Sequence, residues 1–361
     1  MALSVVDRYI AKELRSYLGF SFAAFTGIFV AGDLLFEAAR LLAGGSAGVA
    51  TVVKIFFLGL PRIAVMTFPM SVLMATLLCF SRLSDSHELV AMVTSGISRR
   101  RLVVPAIVLA IVVTFVSLYL TEVVAPRANS EVQEILWELG GKSAVQVQTN
   151  VVLKEFKDGK ISRLVVAEKL DGSTGKLTNV TLQDFEDGRL VRITTAPRAI
   201  WRDDDWQFIG GTIYTILDGS RVGSIRFSTY ESRIRRAPSE IMRRQKGPDE
   251  MGISELFRYI RVLAGQGAEV RELWVKFHLK LAIPFASIVF ALIAAPLGIR
   301  LRRSSTSVGF GASIILIFIY YVIMSLGTAF AERGSVSPFL GAWFQNFLFG
   351  GIGAFLALRR G

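Results

Sequence analysis

Six apolar blocks of membrane-spanning length constrain the fold of this sequence more than any other feature. A helix needs about 20 consecutive apolar residues to cross the hydrocarbon core of a bilayer. The chain has 361 residues, 52% of them hydrophobic, and the apolar residues are bunched into blocks. The blocks lie near residues 17–36, 54–80, 102–125, 275–298, 308–330 and 339–358. The sequence therefore predicts a polytopic α-helical membrane protein with six transmembrane helices.

A polar segment from about Arg127 to Leu273 separates the third block from the fourth. It contains short runs of alternating apolar and polar residues, several of them separated by Asp-Gly, which is a strong hairpin signal. These pairs stand at 158–159, 171–172, 187–188 and 218–219. The predicted strands lie near 144–156, 160–169, 176–185, 189–201, 206–217 and 221–230. We expect an antiparallel β-sandwich or jelly-roll domain inserted between helices three and four.

These patterns divide the chain into four predicted parts. Residues 1–126 would form helices one to three with a short helix at about 81–95, residues 127–247 the β domain, residues 248–273 an amphipathic helix and linker, and residues 274–361 helices four to six. Ser254 is the expected N-cap of the amphipathic helix. The first block lacks a small-residue cleavage pattern, so we expect a retained helix and not a signal peptide.

Basic residues in the short loops predict the orientation. They stand at Arg8, Lys12, Arg15, Arg82, Arg99, Arg100, Arg101, Arg300, Arg302, Arg303, Arg359 and Arg360, all on one side if there are six spans. By the positive-inside rule that side is the cytoplasm, which places both termini there and the β domain outside, in the periplasm of a bacterium. The same rule and anionic lipid explain the net charge of +12 without nucleic acid.

Two polar features stand next to the membrane. The second loop, from Ser81 to Arg101, has apolar residues spaced for a short amphipathic helix that stops at Gly96. Its charged face is either a binding surface or simply solvated. The first helix runs into Asp33, Glu37 and Arg40. A charge at mid-bilayer costs roughly 2.5–3.5 kcal/mol, so these residues either snorkel into headgroups or lie at an interface, a cavity or a partner.

Catalytic patterns are missing from the sequence. Its two histidines, His87 and His278, lie far apart, and its single cysteine, Cys79, sits in an apolar block. The segment from Gly140 to Ser143 resembles a phosphate loop, but Leu136 stands where a Walker motif needs glycine. We therefore predict no enzyme, no metal site and no bound cofactor, and any ATP would be hydrolysed by another subunit.

The order of several short motifs resembles a known family, the lipopolysaccharide-export ABC transporter permeases of the LptF/LptG (YjgP/YjgQ) type. The resemblance covers essentially the whole chain. Its motifs are Asp7-Arg8-Tyr9-Ile10, Leu60-Pro61-Arg62, Phe68-Pro69-Met70, Glu88-Leu89-Val90-Ala91-Met92, Ser95-Gly96, Ala125-Pro126, Asp187-Gly188, the segment from Ala196 through Trp206, and Ala295-Pro296-Leu297-Gly298.

The resemblance implies a half-permease that pairs with a paralogous subunit, or with itself, and with a dimer of cytoplasmic ABC ATPases. The second loop would be the coupling helix, with Glu88 matching the family's acidic residue. The implied coupling residues are Arg82, Asp85, Glu88, Leu89 and Met92. The β domain would dock edge to edge with a periplasmic jelly-roll bridge protein, because a sheet edge exposes unpaired backbone groups.

The resemblance also implies that helices one and five line a cavity through which lipopolysaccharide leaves the outer leaflet of the inner membrane. The candidate cavity and gate residues are Phe29, Asp33, Glu37, Arg40, Phe310, Ile317 and Tyr321. Known members carry basic residues late in helix one that meet lipid phosphates, whereas this chain has Asp33 and Glu37 there. Either the partner supplies the charge, or the headgroup differs, or divalent cations bridge it.

Two other functions compete with lipopolysaccharide export. One is a non-transporting scaffold or sensor that presents the β domain to an envelope complex. The other is an ABC permease for another lipid or a lipoprotein. A scaffold has no need of an ATPase-binding helix, so a substitution at Glu88 would leave it working, whereas a permease for another lipid would keep that helix and differ in the cavity.

Overall fold

A computed structural model describes most of the chain, including every element predicted to span the membrane. The residues described are 5–45, 47–139, 147–157, 160–172, 174–186, 189–202, 204–217, 221–232, 234, 237–238, 246–265, 268–300 and 306–358. The segment from Gly140 to Ser143, three of the four Asp-Gly pairs and the basic residues at 302–303 and 359–360 lie outside them.

Six helices in the described residues are long and apolar enough to cross a membrane. In chain order the helices are α1 (Val5–Phe29), α2 (Leu35–Ala43), α3 (Val49–Asp85), α4 (Glu88–Thr94), α5 (Arg99–Tyr119), α6 (Ala125–Glu138), α7 (Ile253–Ala264), α8 (Arg271–Arg300), α9 (Thr306–Glu332) and α10 (Pro338–Leu358). A π-helical turn, Val30–Leu34, joins α1 to α2, and another, Leu120–Val124, joins α5 to α6. The predicted six spans are confirmed, with α1–α2, α3, α5–α6, α8, α9 and α10 as spans one to six.

The spans differ greatly in how much of them is buried within the chain. Of the most apolar stretch of each span, 78% is buried in span two and 61% in span four, but only 17% in spans one and five. Spans two and four therefore form the centre. Phe290 of α8 packs there with Leu73 of α3 and Tyr320 of α9. Spans one and five leave long apolar faces for lipid or for another subunit.

Glycines of spans five and six allow close helix packing at some positions and not at others. A Cβ at Gly327 of α9 would lie 2.5 Å from the carbonyl oxygen of Gly341 of α10, so the two backbones touch. A Cβ at Gly353 would lie 2.9 Å from a backbone nitrogen of α8. A Cβ at Gly311 or at Gly351 would have no atom of another described helix within 4 Å. Close helix packing within the chain thus explains the glycines at 327 and 353, but it does not explain those at 311 and 351.

The β domain is a six-stranded antiparallel sheet in simple sequential order. Its strands are β1 (Val147–Lys157), β2 (Lys160–Asp171), β3 (Lys176–Glu186), β4 (Arg189–Arg202), β5 (Asp205–Leu217) and β6 (Arg221–Glu231). Each begins and ends within a few residues of its predicted bounds. Trp206 and Phe208 of β5 are fully buried in its apolar core, beside Leu177 and Val180 of β3. The predicted fold class, six membrane helices with an antiparallel β domain inserted after the third, is confirmed.

The chain forms two compact units. The membrane unit comprises residues Met1–Asn129, Glu250–Phe257 and Arg271–Gly361. The second unit comprises Ser130–Asp249 and Arg258–Val270, and holds the β domain. The chain enters the second unit within α6, returns to the membrane unit at Glu250, enters the second unit again within α7 and returns at Arg271.

Candidate functional site

The second loop folds as a separate short helix, α4, between spans two and three. Span two runs on to Asp85, so α4 begins at Glu88 and not at residue 81. His87 joins the two helices with a left-handed φ of 61°, a conformation in which histidine is enriched among non-glycine residues. Gly96 ends α4 with a φ of +92°, and the amide of Ile97 donates to the carbonyl of Met92 over 3.2 Å. This is the Schellman pattern of a helix end.

The apolar side of α4 is seated on the chain's own helices. Leu89 is 4% exposed and packs with Leu14 of α1, Leu83 of α3 and Leu102 of α5. Met92 is partly buried against the same cluster. The amphipathic spacing in the sequence therefore reflects burial against spans one to three.

A polar network ties α4 to the first span. The Tyr9 hydroxyl of α1 donates to Glu88 Oε2 over 2.7 Å, and the Ser86 hydroxyl donates to Oε1 over 2.9 Å. Arg82 lies between carboxylates, with one nitrogen 3.1 Å from Glu13 Oε2 and another 3.5 Å from Glu88 Oε1. Arg82 also donates a longer 3.5 Å bond to the Tyr9 hydroxyl. Side chains from α1, the end of α3 and α4 thus meet in one cluster.

This cluster lowers the pKa of Glu88. The largest cause is the hydrogen bond from Tyr9, which lowers the pKa. Partial burial is the next largest effect and raises the pKa, while the Ser86 hydroxyl and the positive charge of Arg82 lower it further. Donors and a cation favour the carboxylate form. Glu88 is therefore a fixed negative charge near neutral pH, aimed at its own chain's donors and 30% exposed in its side chain.

The outward face of α4 is formed by residues outside the apolar contacts and the polar network just described. Val90 is 47% exposed, and Asp85, His87 and Ala91 are exposed beside it. Of the five predicted coupling residues, Asp85 is exposed and Leu89 is buried, while Arg82, Glu88 and Met92 are intermediate. Their assignment to ATPase coupling stays a prediction, with Val90 as a surface residue that the sequence did not single out.

The predicted cavity residues do not form one cluster. Phe29, Ile317 and Tyr321 belong to the apolar core of the membrane unit, where the Tyr321 hydroxyl lies 3.4 Å from the carbonyl oxygen of Met66. Asp33 lies exposed in the first π-helical turn, and Arg40 is exposed and Glu37 partly buried in α2.

Phe310 lies apart from Asp33 along the membrane unit. Leu34, the neighbour of Asp33, packs against Gly59 of α3. Gly309, the neighbour of Phe310, packs against Leu78 of α3. Those two positions of α3 are 19 residues apart, about 28 Å along a helix. Asp33 and Phe310 are therefore near opposite ends of the second span, and one headgroup cannot contact both.

Several residues of the network were missed by sequence reasoning. Tyr9 and Glu13 are four positions apart on α1, which places them on one helix face. That spacing was the available signal, but nothing in it points to Glu88, which is 79 positions further along the chain.

The fold and this cluster define a class of protein: a polytopic membrane protein with three spans on either side of an extramembrane β domain and a loop helix bound to its first span. The family described as "Lipopolysaccharide export system permease LptF/LptG" matches residues 8–359. The chain belongs to this family, as the resemblance of its motifs predicted. It is therefore a multi-pass permease subunit of lipopolysaccharide export.

Individual relatives are distant in sequence but match along their whole length. The chain is 24% identical over 389 residues to the lipopolysaccharide export system permease protein LptG of Escherichia coli K12, covering 99% of this chain and 98% of LptG. It is 20% identical over 364 residues to LptF of the same strain and to LptF of Shigella flexneri, covering 96% of this chain and 92% of each relative.

Proposed function

We propose that this chain is one of two permease subunits of an ABC transporter that extracts lipopolysaccharide from the outer leaflet of the bacterial inner membrane. A separate cytoplasmic ATPase dimer supplies the energy, and a periplasmic jelly-roll bridge protein receives the lipid. The observation that carries the proposal is the family match along almost the entire chain, with three spans, a β domain and three further spans in the family's order.

The orientation belongs to the proposal. Arg82 and Arg99 to Arg101 stand at the α4 end of spans two and three, and Arg8 and Arg15 stand at the start of span one. The positive-inside rule places this side in the cytoplasm and the β domain in the periplasm. In that orientation α4 faces the compartment where ATP is available.

The exposed faces of spans one and five support pairing with a second permease. Matches to both LptF and LptG suggest a paralogous partner, and pairing with a second copy is the alternative. Exposed side chains on these spans are large and apolar, among them Ile28 of α1 and Phe318 of α9. Two such faces opposite each other would enclose a cavity lined for acyl chains.

Energetics favour such a cavity over extraction through water. Moving acyl chains into water costs about 0.8 kcal/mol per methylene, and a lipid A anchor has tens of them. That cost exceeds what ATP hydrolysis supplies. The lipid therefore slides sideways into the apolar cavity, and closure of the ATPases collapses the cavity and pushes the lipid toward the β domain.

The headgroup contacts differ from those expected for the family. Asp33 and Glu37 stand late in span one, and neither carboxylate can bind a phosphate without a cation. The partner's side of the cavity or a bridging divalent cation supplies the positive charge, with Arg40 as the one basic residue in this region of span one.

Co-purification with the ATPase tests the proposal. The chain is expressed with the ATPase and the paralogous permease of its own organism, and Val90→Asp is compared with the wild type. Val90 faces outward, so a charge there disrupts docking without touching the Tyr9–Glu88 network. The matched control is Ile225→Asp on β6, where the side chain is 67% exposed.

Loss of the ATPase in Val90→Asp and its retention in Ile225→Asp is the expected result. A wild-type chain that binds no ATPase would contradict the proposal and favour the scaffold function. Release of labelled lipopolysaccharide from proteoliposomes, dependent on ATP, then tests the substrate, and transport of another lipid alone would favour the alternative permease.

A further inference from the structure

Glu122 holds the start of α7 from the end of span three. Its Oε2 accepts the backbone N–H of Ile253 over 2.5 Å, and its Oε1 accepts the Ser254 hydroxyl over 2.5 Å. The amide of Ser254 lies 3.4 Å from both oxygens. The first amides of a helix have no partner within it, and a negative charge there is also favoured by the helix dipole. Ser254 was the predicted cap, but the capping carboxylate comes from another helix, 131 positions earlier.

The backbone around this contact fits it closely. A Cβ at Gly252 would lie 2.7 Å from the carbonyl oxygen of Glu122 and 3.0 Å from its Oε2, so glycine is what lets the chain approach. From the other side, Lys280 of α8 donates a 2.9 Å hydrogen bond to the carbonyl of Met251. Residues 251–254 are thus held by side chains from span three and span four. We call these contacts the Glu122 clasp.

The position of Glu122 in the chain gives the clasp its significance. It lies in the π-helical turn Leu120–Val124, directly before α6, which leads into the β domain. Such turns are rare and occur often at functional sites. The clasp binds the start of α7, which leads back out of the β domain. Both helical connections are therefore fixed at their base by one carboxylate.

We propose that Glu122 is a positioning residue that makes α6 and α7 move together, so that rearrangement of the membrane helices reaches the β domain through both connections. The proposal rests on the proposed transport function. A transporter must pass its lipid from the membrane helices to the β domain in step with ATP hydrolysis. A loose connection would let the ATPase run without moving the β domain.

The first measurement needs no substrate. Spin labels are placed at Arg127 on α6 and Val262 on α7, both exposed, in the purified transporter. The one native cysteine, Cys79, is buried and does not compete for the label. Glu122→Ala is expected to broaden the distribution of distances between the labels, and Ser254→Ala to broaden it less, because it removes one contact. The matched control is Glu138→Ala at the exposed end of α6.

The second measurement is the number of lipopolysaccharide molecules released per ATP hydrolysed in proteoliposomes. Glu122→Ala is expected to lower this ratio at least threefold, Glu122→Gln to lower it less, and Glu138→Ala to leave it unchanged. Co-purification with the ATPase checks that each variant is folded. An unchanged distance distribution or an unchanged ratio in Glu122→Ala overturns the proposal. If the wild type releases no lipid, the proposed function is wrong. The distance distribution between the two labels then tests by itself whether Glu122 holds α6 and α7 together.

Discussion

The Tyr9 hydroxyl donates a 2.7 Å hydrogen bond to the Glu88 carboxylate, and this contact joins the first membrane helix to the loop helix α4. It adds a polar contact to the packing of Leu89 against Leu14 of α1, so α4 is held to span one as well as to spans two and three. Span one is among the least buried of the six, and only 17% of its most apolar stretch is buried within the chain. The contact therefore couples α4 to span one.

Tyr9→Phe removes the donor and keeps the ring. A hydrogen bond to a charged group contributes about 1.5–3 kcal/mol, and partial exposure places this one near the lower value. We expect hydrogen exchange of the α4 amides to accelerate up to about tenfold, since 1.4 kcal/mol is a factor of ten. Tyr214→Phe in the β domain is the control. Unchanged exchange in Tyr9→Phe would show that the hydroxyl does not hold α4.

The lowered pKa of Glu88 predicts a pH dependence of the same segment. Because folding lowers this pKa, the stabilisation is complete above the ordinary glutamate value of about 4.5 and is lost as the pH falls through the lowered value. Protection of the α4 amides, corrected for intrinsic exchange, should stay constant from about pH 7 to 5 and then decline.

The matched variant for that pH series is Glu88→Gln, which has no charge to lose. The difference in protection between wild type and Glu88→Gln isolates this one group from other carboxylates such as Glu13. A difference that persists unchanged down to pH 3, about one unit or more below the ordinary value, would contradict the assignment.

The coarse fold was predictable from the sequence because its signals are local. Block length predicts spans, and alternation with Asp-Gly pairs predicts strands, so the bounds of α10 and β5 came within a residue or so. The bounds of span one were less accurate. Its helix begins by Val5, twelve residues before the apolar block, because residues 5–16 include five charged residues and an apolar block alone does not register such a stretch of helix.

The contacts that bind helices together were not predictable in the same way. Glu122 and Tyr9 act on partners 131 and 79 positions away, and periodicity carries no information on such distances. The two π-helical turns also leave no mark in hydropathy. The predicted coupling helix illustrates the limit: its apolar face was evident, but that Glu88 is bound by its own chain was not.

Gly341→Ala tests the close approach of spans five and six. A Cβ there would lie 2.5 Å from the Ala331 side chain and 2.6 Å from the carbonyl oxygen of Gly327, so backbone has to move. Overpacking of this kind costs about 1–3 kcal/mol, and we expect a lower thermal midpoint in detergent. Gly351→Ala, with nothing within 4 Å, is the control. Equal midpoints for the two variants would contradict the packing described.

Crosslinking tests whether span one faces the partner permease across the substrate cavity. A cysteine at Ile28, 62% exposed on α1, is paired with a cysteine in the fifth span of the partner subunit. We expect the crosslink to form and to abolish ATP-dependent lipopolysaccharide release, because acyl chains can no longer enter, and reduction to restore release. A cysteine at Val108, 53% exposed on α5, is the control and should neither crosslink nor reduce release. Full release by the crosslinked Ile28 protein would exclude this seam as the entry route.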